Sequence, residues 1–178
     1  MDLEEKTLNS RLVFQGKMIG LRVEDVRLPN GSTSTREVIV HPGAVAIIAV
    51  NQENKLVMVK QFRKAVEQVL LEIPAGKLEP DEDPVNCAVR ELEEETGYRC
   101  NGIKHIMDFY STPGFSNEIL HLYYAWDLIK NTVNTDDDEF LEVVELSIDE
   151  IKKLMNTNSI KDSKTLVALL YYLNRQGC

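Results

Sequence analysis

Arg90, Glu91, Glu94 and Glu95 crowd one short stretch of this chain. On an α-helix, positions i, i+3 and i+4 are neighbours, so the three carboxylates would stand on one face. Like charges four apart destabilise a helix by roughly 0.2–0.5 kcal/mol per pair, and no lysine follows at i+4 to offset them. Arg90 is the one basic residue in the stretch and can reach Glu94. A Glu-rich helix is ordinarily a solvated face, but this one lacks the basic partners that reading requires. A cluster of carboxylate oxygens is what Mg2+ or Mn2+ takes as ligands. Such an ion would cancel the repulsion and serve as a Lewis acid. Glu82 lies just ahead of the helix, in reach of the same group. Gly76 follows a buried-type strand and lets the backbone come close to a ligand.

The elements that must position these residues are marked in the sequence. Asp83 is a good N-cap, Pro84 fits the first turn, and Gly97 fits the position just past the last turn. Val85, Ala88, Val89 and Leu92 recur at helical spacing and form the expected buried stripe. Ahead of the helix, AVAIIAV and KLVMVKQF read as buried strands joined by a polar turn at 51–54, and VLLEIPAG leads into the loop. Behind it, NGIKHIMDFY, EILHLYYAW and FLEVVELS read as strands, and two helices close the chain near 147–156 and 163–175. Residues 11–40 form a small antiparallel unit, with Asn30-Gly31 as a hairpin signal. His41-Pro42-Gly43 then breaks the chain. The expected organisation is an N-terminal β unit over residues 1–41 and a main domain over 42–178. Strands that pair as hairpins with interspersed helices predict a mixed sheet covered by helices, an α/β (α+β) fold, not a doubly wound one.

Composition narrows the partners. The 178 residues carry a formal net charge of -9. That argues against nucleic acid or an anionic membrane, both of which need a cationic face. Cys87, Cys100 and Cys178 are odd in number and widely spaced, as in free thiols of a reducing compartment. The acidic N-terminal residues lack an apolar h-region, and no apolar run reaches membrane-span length. The expectation is a cytoplasmic protein. His41, His105 and His121 stand far apart without metal-ligand spacing, so turn, surface or core roles are the better reading than zinc. Arg63, at a strand end, is either a surface charge or a bidentate phosphate clamp. Pro113-Gly114 is a turn signal.

Gly76, Glu82, Arg90, Glu91, Leu92, Glu94, Glu95, Gly97 and Tyr98 match G-x5-E-x7-R-E-U-x-E-E-x-G-U at every constrained position, with U apolar or aromatic. This resembles the Nudix box. The resemblance implies an α/β/α sandwich and hydrolysis of a nucleoside diphosphate linked to another moiety. It implies Glu91 and Glu95 as chief metal ligands, Glu94 and the Ala75 carbonyl as further ones, and Arg90 and Glu82 as residues that orient the cluster. Two to three Mg2+ ions per site would be held, with Mn2+ as the alternative.

Pro113 in YSTPGFSNE, TREVIVHPGAVAI, KLVMVKQFR, LEIPAGKLE and SIKDSKTLVALLYYL are similar to the ADP-ribose pyrophosphatase branch of that superfamily. The implied substrate is ADP-ribose. Arg36, Glu37, Arg63, Gly76, Leu78, Pro113, Gly114 and Glu118 become the expected substrate contacts. Arg36 and Glu37 would reach a partner subunit's site in a homodimer with intertwined N-terminal units. The run Asp136–Glu139 is usually only a solvated loop. By the same resemblance an acidic loop here supplies the catalytic base, and Glu139 is the choice, with Asp138 second. The rival readings are another nucleotide specificity, such as a nucleotide sugar or dinucleoside polyphosphate, and a non-catalytic ADP-ribose-binding module. The second would tolerate loss of box glutamates, yet all are present.

Overall fold

The computed structural model describes residues 2–131 and 140–175. The chain forms two compact units. The first takes in the described residues up to Gly43 together with Tyr110–Ile119, and the second takes in the rest.

In the first unit, β1 (Lys6–Gln15), β2 (Gly20–Arg27) and β3 (Thr33–Val40) make an antiparallel sheet in that order. Asn30-Gly31 turns the chain as expected. Gly31 sits at φ 88°, a conformation that favours glycine, and its N–H donates to the Leu28 carbonyl at 2.8 Å. Every residue of β1 is exposed, Leu12 and Phe14 among them. The segment Tyr110–Ile119 joins this unit through Ile39, whose N–H donates to the Phe115 carbonyl at 2.7 Å.

The second unit is built on a mixed sheet. Its strands are β4 (Ala44–Val50), β5 (Leu56–Arg63), β6 (Gln68–Glu72), β7 (Ala75–Lys77), β8 (Tyr98–Tyr110), β9 (Ile119–Lys130) and β10 (Leu141–Leu146). The main order is β10-β5-β4-β9-β8, with β6 paired to β5 and β7 to β4. The β4–β9 pair is parallel, whereas β4–β5 and β5–β10 are antiparallel. AVAIIAV is apolar without alternation because β4 is buried on both faces. Ala46 and Ile48 pack with α2 (Ile148–Asn156) and α3 (Ser163–Arg175) through Ile151, Ala168 and Leu169. Val45 and Ile47 pack on the other face with α1 (Pro84–Thr96) through Cys87, Ala88 and Leu92. The result is helices on both sides of one sheet, the α/β/α sandwich. Among the described residues, no helix is long and apolar enough to cross a membrane.

One detail differs from the sequence reading and matters for the site. VLLEIPAG is not a single strand running into a loop. It pairs with β5 as far as Glu72, breaks at Ile73-Pro74, and resumes on β4 at Ala75. Proline has no N–H for the ladder, so a change of partner there costs no donor. Ile47 N–H closes the junction on the Pro74 carbonyl at 2.8 Å. The switch lays Ala75-Gly76 beside the central strand.

Candidate active site

Helix α1 is set at both ends by the residues that mark it. The Asp83 side chain accepts from Val85 N–H at 2.9 Å, and Gly97 closes the helix in the left-handed conformation at φ 67°. Its buried face is wider than the apolar stripe alone. Cys87, Ala88 and Leu92 are buried, and so are Glu91 and Glu95, at 9% and 3% exposure. Val89, expected in the stripe, is only half-buried and borders an open cavity with Arg90 and Glu94.

The two buried carboxylates lie on consecutive residues of β7. Glu95 accepts from Ala75 N–H at 3.0 Å. The Glu91 carboxylate occupies the space where a side chain on residue 76 would start, so any Cβ there would overlap it. Gly76 is thus a cradle, needed for contact and not for a turn. Arg90 ties the cluster together. Its Nε and one terminal nitrogen donate to both oxygens of Glu82, each at 2.9 Å. The other terminal nitrogen donates to Glu91 and Glu94, each at 2.8 Å. Those bonds hold the Glu82 carboxyl down at about 2, with help from the Glu79 N–H and against the cost of burial. The Cys87 thiol, buried and facing Glu82, is pushed up to about 12 and is no nucleophile at neutral pH.

Arg90 therefore serves three carboxylates, and Glu95 is a fourth beside them. Arg63 adds positive potential at Glu95, but its own fork is committed elsewhere. It donates to the Glu72 carboxylate through Nε at 2.8 Å and a terminal nitrogen at 2.7 Å. Hard oxygen donors gathered around one arginine, two of them buried on a glycine cradle, fit a divalent cation of the Mg2+ or Mn2+ kind.

The remaining expected contacts fall in several places. Leu78 packs against the α1-side core. In the first unit, Arg36, Glu37, Pro113 and Gly114 line one open cavity of about 450 Å3, joined by Tyr110 and Phe115. Arg36 is held there by Glu5 at 2.6 Å. Glu118 accepts from the Ser111 hydroxyl and lies 3.8 Å from His41. Asp138 and Glu139 lie outside the described residues. Sequence reasoning missed Glu72, which is 1% exposed and also bound by Lys164 of α3. A glutamate inside VLLEIPAG, a stretch that reads as buried, was the available signal. It also missed the aromatic rings of Tyr110 and Phe115, which only the strand geometry brings to Arg36.

A fold and a site of this kind define a class. Residues 40–168 match the Nudix domain family, and residues 5–39 match the nucleoside diphosphate sugar hydrolase N-terminal domain. The chain belongs to the Nudix family. Within it, the chain is 49% identical to the ADP-ribose pyrophosphatase of Bacillus subtilis (strain 168), over 95% of this chain and 92% of that one. It is 51% identical to the methanol dehydrogenase activator of Bacillus methanolicus, over 94% and 92% of the two chains. A GDP-mannose pyrophosphatase of Cronobacter sakazakii is 34% identical over 80% and 78%. A crystal structure of an ADP compounds hydrolase superposes with a TM-score of 0.86 over 99% of this chain and 98% of the other. At 22% identity that likeness concerns the fold.

Proposed function

We propose that the protein hydrolyses the pyrophosphate bond of ADP-ribose to AMP and ribose 5-phosphate with Mg2+. The observation that supports this best is the pair of buried glutamates on the Ala75-Gly76 cradle, in a chain 49% identical to an ADP-ribose pyrophosphatase. Glu91 and Glu95, with Glu94 and the Ala75 carbonyl, would hold two to three ions. Bound there, Mg2+ supplies Lewis acidity to the phosphates and favours ionisation of water at neutral pH.

The protein's own residues do the rest. Arg90 fixes the directions of Glu82, Glu91 and Glu94, so the cluster is ordered before substrate arrives. Gly76 keeps the backbone low enough for a phosphate to approach. Arg63, held by Glu72, presents its remaining face as positive potential toward Glu95. Glu139, or Asp138 beside it, accepts the proton of the attacking water as an oxygen–phosphorus bond forms and the phosphoanhydride bond breaks. The cavity with Arg36, Glu37, Pro113 and Gly114 takes the nucleoside end, with the rings of Tyr110 and Phe115 as stacking faces. It serves a partner protomer in a homodimer. The fully exposed β1, with Leu12 and Phe14 on it, supports that assembly, because such a strand gains by being covered. The same reading places the protein in the cytoplasm.

A second reading is a nucleotide-sugar hydrolase. It is favoured by the N-terminal family match and by the GDP-mannose pyrophosphatase relative. A panel of ADP-ribose, GDP-mannose, NADH and diadenosine polyphosphates, assayed with Mg2+ and with Mn2+, separates the two. The expected result is the highest kcat/KM on ADP-ribose. A clear preference for GDP-mannose would replace the first reading by the second.

A further inference from the structure

His105, Asp108 and His121 offer ligand atoms that all lie within 4.8 Å of one another. The sequence gives no hint of this. His105 and Asp108 are three apart on β8, and in a regular strand such residues face opposite sides. The alternation slips between them. Lys104 and Ile106 line one cavity on the α3 side, yet Met107, the next residue, packs into the same core cluster as Ile106. Strict alternation therefore does not hold between Ile106 and Met107, and Asp108 meets His105 despite their odd spacing. His121, on the neighbouring strand β9, stands on that face too, next to Tyr123 of the α1-side core.

Two ring nitrogens, from neighbouring strands, meet one carboxylate oxygen. His105 Nε2 lies 2.7 Å and His121 Nδ1 2.8 Å from the same Asp108 oxygen. The two histidines hold the Asp108 carboxyl below its ordinary value, against the effect of burial. The His105 ring meets Tyr123 edge-on at 5.5 Å, and His121 is only 18% exposed, so neither ring is loose. Two imidazole nitrogens and a carboxylate form a donor set unlike that of α1. Imidazole suits Zn2+ and its neighbours in the transition series, whereas Mg2+ takes oxygen. Three protein ligands with one position left to water is the arrangement of an open zinc site.

We infer that His105, Asp108 and His121 form a second metal site, selective for Zn2+ and similar transition ions over Mg2+. It joins β8, at the end of the main strand order, to β9. The ion fastens the sheet's outer pair and takes no part in the glutamate cluster's chemistry. The inference does not depend on which nucleotide the protein hydrolyses.

The test is a Zn2+ titration of the full chain in saturating Mg2+, followed by long-range proton–nitrogen NMR of the imidazole rings. The sequence has three histidines. One equivalent of Zn2+ should shift His105 Nε2 and His121 Nδ1 and leave His41 unmoved. Calorimetry in the same buffer should show the corresponding event weakened by more than about 100-fold in His121→Ala and in Asp108→Asn, since loss of a ligand exceeds loss of an outer-shell partner. His105 is about half exposed, so His105→Ala is a third variant, with circular dichroism as the check that each variant is folded. Zinc bound with no movement of the His105 and His121 nitrogens would overturn the assignment, as would unchanged affinity in the folded variants.

Discussion

Two clusters of buried charge stand within one unit and follow opposite rules. Glu72 is almost fully buried and meets two cations, Arg63 on β5 and Lys164 on α3, with Asp162 3.1 Å from the lysine. Its charge is neutralised where it sits. Glu91 and Glu95 are also buried, but the arginine beside them is shared among three carboxylates. A buried ion pair that is complete holds the fold together, and breaking it leaves an uncompensated charge. If the α1 carboxylates hold a metal, as proposed above, their mutual repulsion is what the ion would relieve. The same residue type, at similar burial, thus meets two cations in one place and shares a single arginine with its neighbours in the other.

Glu95→Gln should break the second cluster's function most severely. It keeps an acceptor for Ala75 N–H but removes the charge, and turnover of ADP-ribose should fall on the order of 1,000-fold. Steady-state AMP release measures this, and near-normal rates would remove Glu95 from the site. Gly76→Ala comes next. The new Cβ displaces the Glu91 carboxylate, and a misplacement of that kind costs about 100-fold in kcat/KM. A variant with wild-type kinetics would mean that the cradle is not needed.

Glu72→Gln should act on stability. Arg63 and Lys164 lose their shared anion, and the loss should be about 3 kcal/mol in urea unfolding. The smallest effect concerns acid. The Glu82 carboxyl is held at about 2 in the folded protein, against an ordinary 4.5. A depressed carboxyl contributes its stability above the unfolded value and loses it as pH falls toward the folded one. Acid melts should therefore steepen between those two values, and Glu82→Gln should flatten that window. An identical acid profile in the variant would show that the Arg90–Glu82 pair adds nothing there.

The contrast between the clusters was only half legible in the sequence. Helix α1 could be read from Asp83, Pro84 and Gly97, because caps are local chemistry. The face of Glu91, Glu94 and Glu95 followed from the helical period. The partner of Glu72 did not, since Lys164 is ninety-two positions away and reaches it only through the packing of α3. Arg63 was left between a surface charge and a phosphate clamp because its paired carboxylate lies on the next strand. The change of strand partner at Pro74 was also hidden, as was the meeting of His105, Asp108 and His121. Periodicity reports which face a residue takes within a regular element. It does not report where the element departs from regularity.

The most direct test of the central claim is a pair of thermal melts in EDTA and in Mg2+, comparing Glu95→Gln with Glu72→Gln. A charge held in excess should be relieved by neutral substitution, as expected of a functional site that carries strain. Glu95→Gln should then melt at or above the natural protein in EDTA and respond less to Mg2+, which stabilises whatever state it binds. Glu72→Gln should melt lower in both buffers and keep the Mg2+ response. If Glu95→Gln instead melts well below the natural protein in EDTA and still gains as much from Mg2+, the α1 glutamates are structural and the metal is held elsewhere.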